Sequence, residues 1–463
     1  MGTRPRTTLV FAAASAAAAV SVGISGTALA APGPAASKLP AHTLTQDARL
    51  YTPPPDKGAT EQIKDLIRNH DLSDAALIAQ MVTTPQAVWF TSGGPLDVQK
   101  QVHETAVRAS RMREVPVLVV YNVPGRDCSQ YSSGGAGSDP AYQAWIDGFV
   151  KGLGDGRAIV VVEPDGLANL PSDCPGAYPG QDVAALTAGR IADIKYAAES
   201  IESNDRNSLV YLDAGHSAWH SVADISTRLE QAGVSDVQGF SLNTSNYQFT
   251  TNLDFYGTWI SDCLAYTEKV VPGDYGSCGD MYWSGGPANN WTGVALSPYG
   301  VWSETASDPT LNTIGIDSRY ASILGTTTPT AHFVVDTSRN GNGPNDMSAY
   351  GAAPYNQPAT VVSSLAGSNW CNPPGAGLGL LPTTHTGVPL VDAYLWVKTP
   401  GQSDGQCNIA GGARAWDYAQ YNPWNWDTTE QQNNDPLWGI TDPAAGAWFT
   451  QQALQLAQLA KLH

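Results

Sequence analysis

Charge is scarce in this 463-residue chain: Asp, Glu, Lys and Arg make up 14% of it, against roughly 25% in an ordinary soluble domain. Basic residues are the scarcest part, with 24 Lys and Arg facing 42 Asp and Glu for a formal net charge of −18. Neutralising a phosphate backbone needs a basic face, so nucleic acid is excluded as a partner. Past the first thirty residues there is no unbroken apolar run of the roughly 18 residues a membrane-spanning helix needs, so no membrane partner is expected. Metal-binding patterns are missing too. The chain has no Cys-x-x-Cys, and His216 and His220, although at helical spacing, lack both a His-Glu-x-x-His pattern and a third ligand. There is no Gly-x-Ser-x-Gly elbow and no phosphate loop. The glycines of Gly152-Leu153-Gly154-Asp155-Gly156 precede an apolar run instead of following one, and read as a turn. No metal and no cofactor are expected.

Gly (46), Pro (32) and Trp (14) are plentiful instead, a composition for long ordered loops and aromatic surfaces. Residues 1–30 read as a secretory signal: Arg4 and Arg6 lead an Ala-rich apolar stretch from Leu9 to Ile24, and Ala28-Leu29-Ala30 fits the small-residue cleavage rule. Residues 31–58, with Ala31-Pro32-Gly33-Pro34 and Pro53-Pro54-Pro55, read as a leader with little structure of its own. Residues 59–463 are expected to form a single catalytic domain, secreted and monomeric. In an exported chain the six cysteines, Cys128, Cys174, Cys263, Cys278, Cys371 and Cys407, imply three disulfides. Composition leaves all fifteen pairings open.

From residue 59 a rhythm sets in. Short apolar runs at 87–90, 115–121, 158–162, 208–212, 237–242, 332–335 and 388–397 predict strands. Helix-period stretches at 61–81, 96–112, 141–152, 182–201 and 222–232 alternate with the first five, and a further helix is expected at 445–462. Strands joined by helical crossovers make parallel sheets, so the expected fold is α/β: a distorted, incompletely closed parallel barrel of about seven strands. An open doubly wound sheet is the alternative. Two stretches break the rhythm, 244–331 and 341–387, and are expected to lie as long loops over one rim.

Carboxylates follow the predicted strands: Asp127 after Tyr121-Asn122-Val123-Pro124-Gly125-Arg126, Asp165 in Glu163-Pro164-Asp165, Asp213 in Asp213-Ala214-Gly215-His216, Asp336 before Arg339, and Asp404 after Lys398. A single Asp in such a place is most often a turn or cap residue. Five converging on one barrel rim are better explained as a site. Crowded carboxylates repel, so some must hold protons while Arg126, Arg339 or Lys398 keep others ionised. One carboxylic acid and one carboxylate are what glycosidic hydrolysis requires. Trp89, Trp219, Trp370 and Trp396 fall near the same rim, and Trp259, Trp283, Trp291 and Trp302 in the first insertion. Any one of them could be core, but as a group they suit the flat faces of sugars.

At these strand ends the chain resembles glycoside hydrolase family 6, over roughly residues 60 to 460. The resemblance implies inverting β-1,4-glucan hydrolysis on a distorted seven-stranded α/β barrel. It implies Asp165 as proton donor, Asp127 with Tyr121 as adjusters of that donor and of the water network, and Asp404 as base, directly or through water. Trp89, Asp213, His216, Trp219, Asn243, Trp370, Lys398 and Gln402 fall at positions implied to bind sugar. Gln402 stands where many members carry Glu. The family's two disulfides would be Cys128–Cys174 and Cys371–Cys407, leaving Cys263 with Cys278. The expected partner is a cellulose chain, and the expected action is cellobiose release from non-reducing ends through a tunnel roofed by the two insertions. An endo-acting cleft is the alternative, and a non-catalytic cellulose binder the more distant one.

Overall fold

The structure, a computed structural model, describes residues 44–462 except 46, 205–206, 284–285, 287–289, 291–292, 354–355, 368, 408–434 and 436. The expected signal segment, the first part of the leader and Trp291 lie outside the described residues. The described residues belong to one compact unit, Ala41–His463.

Seven parallel strands pair in sequence order: β1 (Val88–Phe90), β2 (Val117–Val120), β3 (Ile159–Val162), β4 (Leu209–Asp213), β5 (Gly239–Leu242), β6 (His332–Asp336) and β7 (Val391–Leu395). Each sits on an expected apolar run. The curled sheet nearly closes: the Ala87 N–H donates to Trp396 O at 2.9 Å, and the Trp89 indole N–H donates to Val397 O at 2.8 Å. This is the expected incompletely closed barrel. Both faces of the central strands are covered, which is why β2 and β3 read as unbroken Val/Leu/Ile. Val117, Val119, Ile159, Val161, Leu209 and Tyr211 share the inner cluster, while their neighbours Leu118, Val120, Val160, Val162, Val210 and Leu212 pack with the surrounding helices.

The helices are α1 (Lys57–Arg68), α2 (Leu72–Val82), α3 (Pro95–Met112), α4 (Asp139–Leu153), α5 (Val183–Asn204), α6 (Val222–Gln231), α7 (Thr250–Lys269), α8 (Ile314–Leu324), α9 (Ala359–Gly367) and α10 (Thr450–Gln458). Local chemistry sets their starts. Asp56 accepts from the Gly58 N–H, Ser138 from Ala141 and Ser221 from Asp224, satisfying donors that have no partner in a first turn.

Four expectations change. The helix expected over 61–81 is two helices, broken at 69–71, and the one expected over 445–462 is shorter, Thr450–Gln458. The described part of the leader is structural: Leu50 pairs with Val115, and Leu44 and Leu50 join the barrel's inner cluster. An apolar floor was needed at that end, and a few leucines outweigh a proline-rich composition. The described residues of the first insertion are not one long rim loop: they include α7 and α8, with Trp259 and Trp302 stacked at 5.6 Å inside the core. Trp396 is likewise buried, its indole N–H bonded to Leu380 O at 2.9 Å.

Candidate active site

At the strand C-termini the sheet opens into a cleft of about 420 Å³ whose lining includes Trp89, Tyr121, Asp127, Asp165, His216, Trp219, Trp370, Lys398 and Asp404. The geometry thus brings together most of the residues singled out in the sequence, from five strand ends and the second insertion.

Glu163 (φ 49°) and Asp165 (φ 62°), after β3, and Asp127 (φ 59°), after β2, all have left-handed backbone. Such backbone costs of order 1–3 kcal/mol per residue and persists only where the surroundings impose it. Here the Asp165 N–H donates to Asp213 Oδ1 at 2.9 Å, and the Asn169 N–H donates to Asp165 O at 2.7 Å. The carboxyl Oδ1 of Asp165 is buried with no hydrogen-bond partner among the described residues. Burial, then the charges of Asp213, Asp127 and Asp404, push its pKa well above the ordinary carboxylate value against the opposing pull of Lys398. Asp165 therefore holds its proton more firmly than an ordinary carboxyl does.

Asp404 is the opposite case. Its Oδ2 accepts from Arg339 Nη1 at 2.9 Å, Tyr247 OH at 2.9 Å and the Asn372 N–H at 3.0 Å, and Lys398 Nζ lies 3.3 Å from Oδ1. Burial alone would raise its pKa, but Arg339 and Lys398 outweigh that and hold it below the ordinary value. Arg339 is fully buried and lies over the Tyr247 ring, 4.4 Å from its centre. Asp127 is raised by burial to about 6, restrained by the Ser132 N–H at 2.6 Å and by Arg126. Arg126 in turn lies 4.5 Å over the Tyr121 ring, which Trp89 meets edge-on at 5.4 Å.

Other expected site residues stand elsewhere. Asp213 lies beneath the cleft, raised by burial to about 7, and meets the backbone of Asp165 and Gly215. Asp336 accepts from the backbone N–H groups of Ser245, Ser338, Val397 and Lys398, so the turn reading holds for this carboxylate. Asn243 is fully buried and bonds Asp336 O and the Gln248 N–H, bracing a loop instead of facing the cleft. Gln402 donates to Asp56 Oδ2 at 3.0 Å and borders a separate recess near Trp448. In both cases the tertiary fold gives the polar side chain a protein partner, which position in the chain does not reveal. His216, lowered to about 3 by burial and then by His220, is neutral, and its Nδ1 accepts from the Ala218 N–H.

The structure forms all three expected disulfides, Cys128–Cys174, Cys263–Cys278 and Cys371–Cys407. The first and third flank Asp127 and Asp404; the second ties α7 to the turn after it. The sequence reading missed Tyr247 and Asn372, the neutral partners of Asp404. Neither carries a motif that could have marked it.

A parallel half-barrel that sets a protonated acid and an ionised carboxylate in one aromatic-walled cleft has the architecture of a carbohydrate-cleaving hydrolase. Residues 45–460 match the glycosyl hydrolases family 6 description, and the chain belongs to that family. It is 31% identical over 390 residues to Endoglucanase A of Cellulomonas fimi, covering 84% of this chain and 57% of the relative. It is 28% identical over 363 residues to a protein named probable 1,4-beta-D-glucan cellobiohydrolase C of Neosartorya fischeri, covering 73% and 61%. This chain thus spans under two thirds of the length of either relative. Among solved structures it is similar to the endoglucanase Cel6 from Mycobacterium tuberculosis in complex with methyl-cellobiosyl-4-deoxy-4-thio-beta-D-cellobioside, with 27% identity, a TM-score of 0.57 and coverage of 89% of this chain and 97% of that one.

Proposed function

We propose that this chain hydrolyses β-1,4-linked glucan with inversion at the anomeric carbon. The observation that carries the proposal is the opposed ionisation of two carboxyls in one cleft, Asp165 raised and Asp404 lowered. Asp165 protonates the leaving glycosidic oxygen. Asp404, with Oδ2 occupied by Arg339, Tyr247 and Asn372, offers Oδ1 to the attacking water, directly or through a second water. Asp127 and Tyr121 border the same space and tune the donor, since ionising Asp127 raises the pKa of Asp165 further. Trp89, Trp219 and Trp370 give the sugar rings apolar faces, and Lys398 binds hydroxyls. The three disulfides and the signal-like start support secretion.

The mode of attack depends on what roofs the cleft. Among the described residues of the first insertion only Ser245 and Asn246 line it, while α7 and α8 pack on the barrel's flank. That removes much of the support for a tunnel and favours an open cleft that cuts within chains, the activity for which the Cellulomonas relative is named. Release of cellobiose from non-reducing ends is the second reading. It keeps the support of Ala366, Asn369 and Trp370, which bring the second insertion onto the cleft wall, and of the name of the Neosartorya relative. Viscosity of carboxymethylcellulose against reducing ends released tests the choice. A steep fall in viscosity with few new ends is expected; cellobiose as main product with viscosity nearly unchanged would select the tunnel.

A further inference from the structure

The loops that carry Asp127 and Asp165 share one buried anchor. Arg190, on α5, is 4% exposed. Its Nη2 donates to Pro124 O at 2.8 Å and to Gly125 O at 2.9 Å, and its Nη1 makes longer contacts to Gly166 O at 3.4 Å and Asn169 O at 3.5 Å. The first pair lies just ahead of Asp127 and the second just after Asp165. Glu163 completes the arrangement, its carboxylate accepting from the Asn122 and Val123 N–H groups at 2.9 and 3.1 Å. Two buried polar side chains therefore hold the backbone of 122–125, the carbonyls by Arg190 and the amides by Glu163. Tyr178 OH adds a bond to Gly125 O at 2.8 Å. Arg190 borders a recess on the far side of these loops, with Asp139 and Asp193, so substrate contact does not account for it.

The loops need such an anchor. Asp127, Cys128 and Asp165 all have positive φ, of 59°, 46° and 62°, and strained backbone of this kind relaxes unless it is over-determined. A planar guanidinium with five donors reaches both loops at once, which a single ammonium cannot do.

We infer that Arg190 is a positioning residue for the hydrolytic reaction: it fixes Asp127 and Asp165 relative to each other through the backbone of their two loops, without touching substrate. The inference rests on the reading of Asp165 as donor.

Arg190→Lys tests it, because the charge stays while the fork is lost. On cellotetraose kcat is expected to fall about 10- to 100-fold, the scale of an ångström of misplacement, with KM within about twofold. The alkaline limb of the pH profile is expected to move to lower pH, since loops that drift apart admit water and lessen the burial and repulsion that keep Asp165 protonated. Tyr178→Phe, which removes one bond on the Asp127 side, is expected to give a smaller change in the same direction. Thermal melting and circular dichroism report folding for each variant. A folded Arg190→Lys protein with unaltered kcat and pH profile overturns the inference, as does a loss of kcat that only tracks the folded fraction. Should Arg190→Lys fail to fold, Tyr178→Phe decides, and unaltered kcat and profile in that variant count against the anchor. Asp165→Asn in the same assay reads the underlying assignment separately: if it stays active on cellotetraose the donor reading fails, whereas its inactivity beside an unaffected Arg190→Lys defeats only the positioning role.

Discussion

Asp165 and Asp404 have the same side chain, and their neighbours drive them to opposite ionisation. Asp165 sits among carboxyls with one of its oxygens unbonded, while Asp404 is gripped by Arg339 and Lys398. Asp165→Asn is expected to lower activity on cellulose by roughly 10²–10⁴-fold, the usual contribution of general acid catalysis. Substrates whose leaving group needs no proton should be spared, so equal losses on both kinds of substrate would disprove the donor role. Asp213→Asn tests the electrostatics. The amide oxygen can still accept from the Asp165 N–H, but the charge that helps raise Asp165 is gone. The Asp165 pKa should therefore fall, the acid should lose its proton at lower pH, and the alkaline limb of kcat should shift downward. An unmoved limb in a folded variant would mean that Asp213 does not set it. At this scale the motifs around Asp127, Asp165 and Asp404 were legible because each lies in the loop that leaves a strand end. Tyr247, Asn372 and Arg190 were not, because the groups they bond lie far away in sequence and no local pattern marks them.

Among the elements, those whose period matched their burial were the readable ones. β2 and β3 are continuous apolar runs because helices cover one face and the barrel core the other. α3, α4 and α6 fall on the helix-period stretches expected at 96–112, 141–152 and 222–232. α7 was read as part of a loop. Its buried residues include Asn252, Gly257, Ser261 and Thr267, polar or small positions that blur the helical stripe, and contact with α6, α8 and β6 supplies the order instead. The Cys263–Cys278 disulfide joins the buried face of this helix to the following turn, away from the cleft. Closing a loop of about 15 residues stabilises by roughly 3 kcal/mol in the chain-entropy model. The double variant Cys263→Ser, Cys278→Ser should therefore melt at a lower temperature while kcat and KM at a permissive temperature stay unchanged. A specific fall in kcat would tie this bond to the active site after all.

For the whole molecule, the open seam between β1 and β7 and the convergence of strand ends place Asp165 and Asp404 in a shared cleft. An inverting enzyme keeps its two carboxyls about 6.5–9.5 Å apart to seat water, against about 5 Å in a retaining one. Proton NMR of a fresh digest should accordingly show the α-anomer first. The β-anomer first would remove the inverting assignment.

What the sequence by itself determined was local. It specified the seven apolar runs, the helix-period stretches that alternate with the first five and the carboxylates that follow strands, because hydrogen-bond geometry and burial act there over a few neighbouring residues. The tertiary structure alone decided which of those carboxylates face the cleft and which brace loops, since Asp336 differs from Asp165 only in what the fold packs beside it. It also decided that α7 and α8 of the first insertion flank the barrel. That choice depends on where Trp259 and Trp302 can leave water, and the surface that receives them is assembled from α7, α8 and the sheet, elements far apart in the chain.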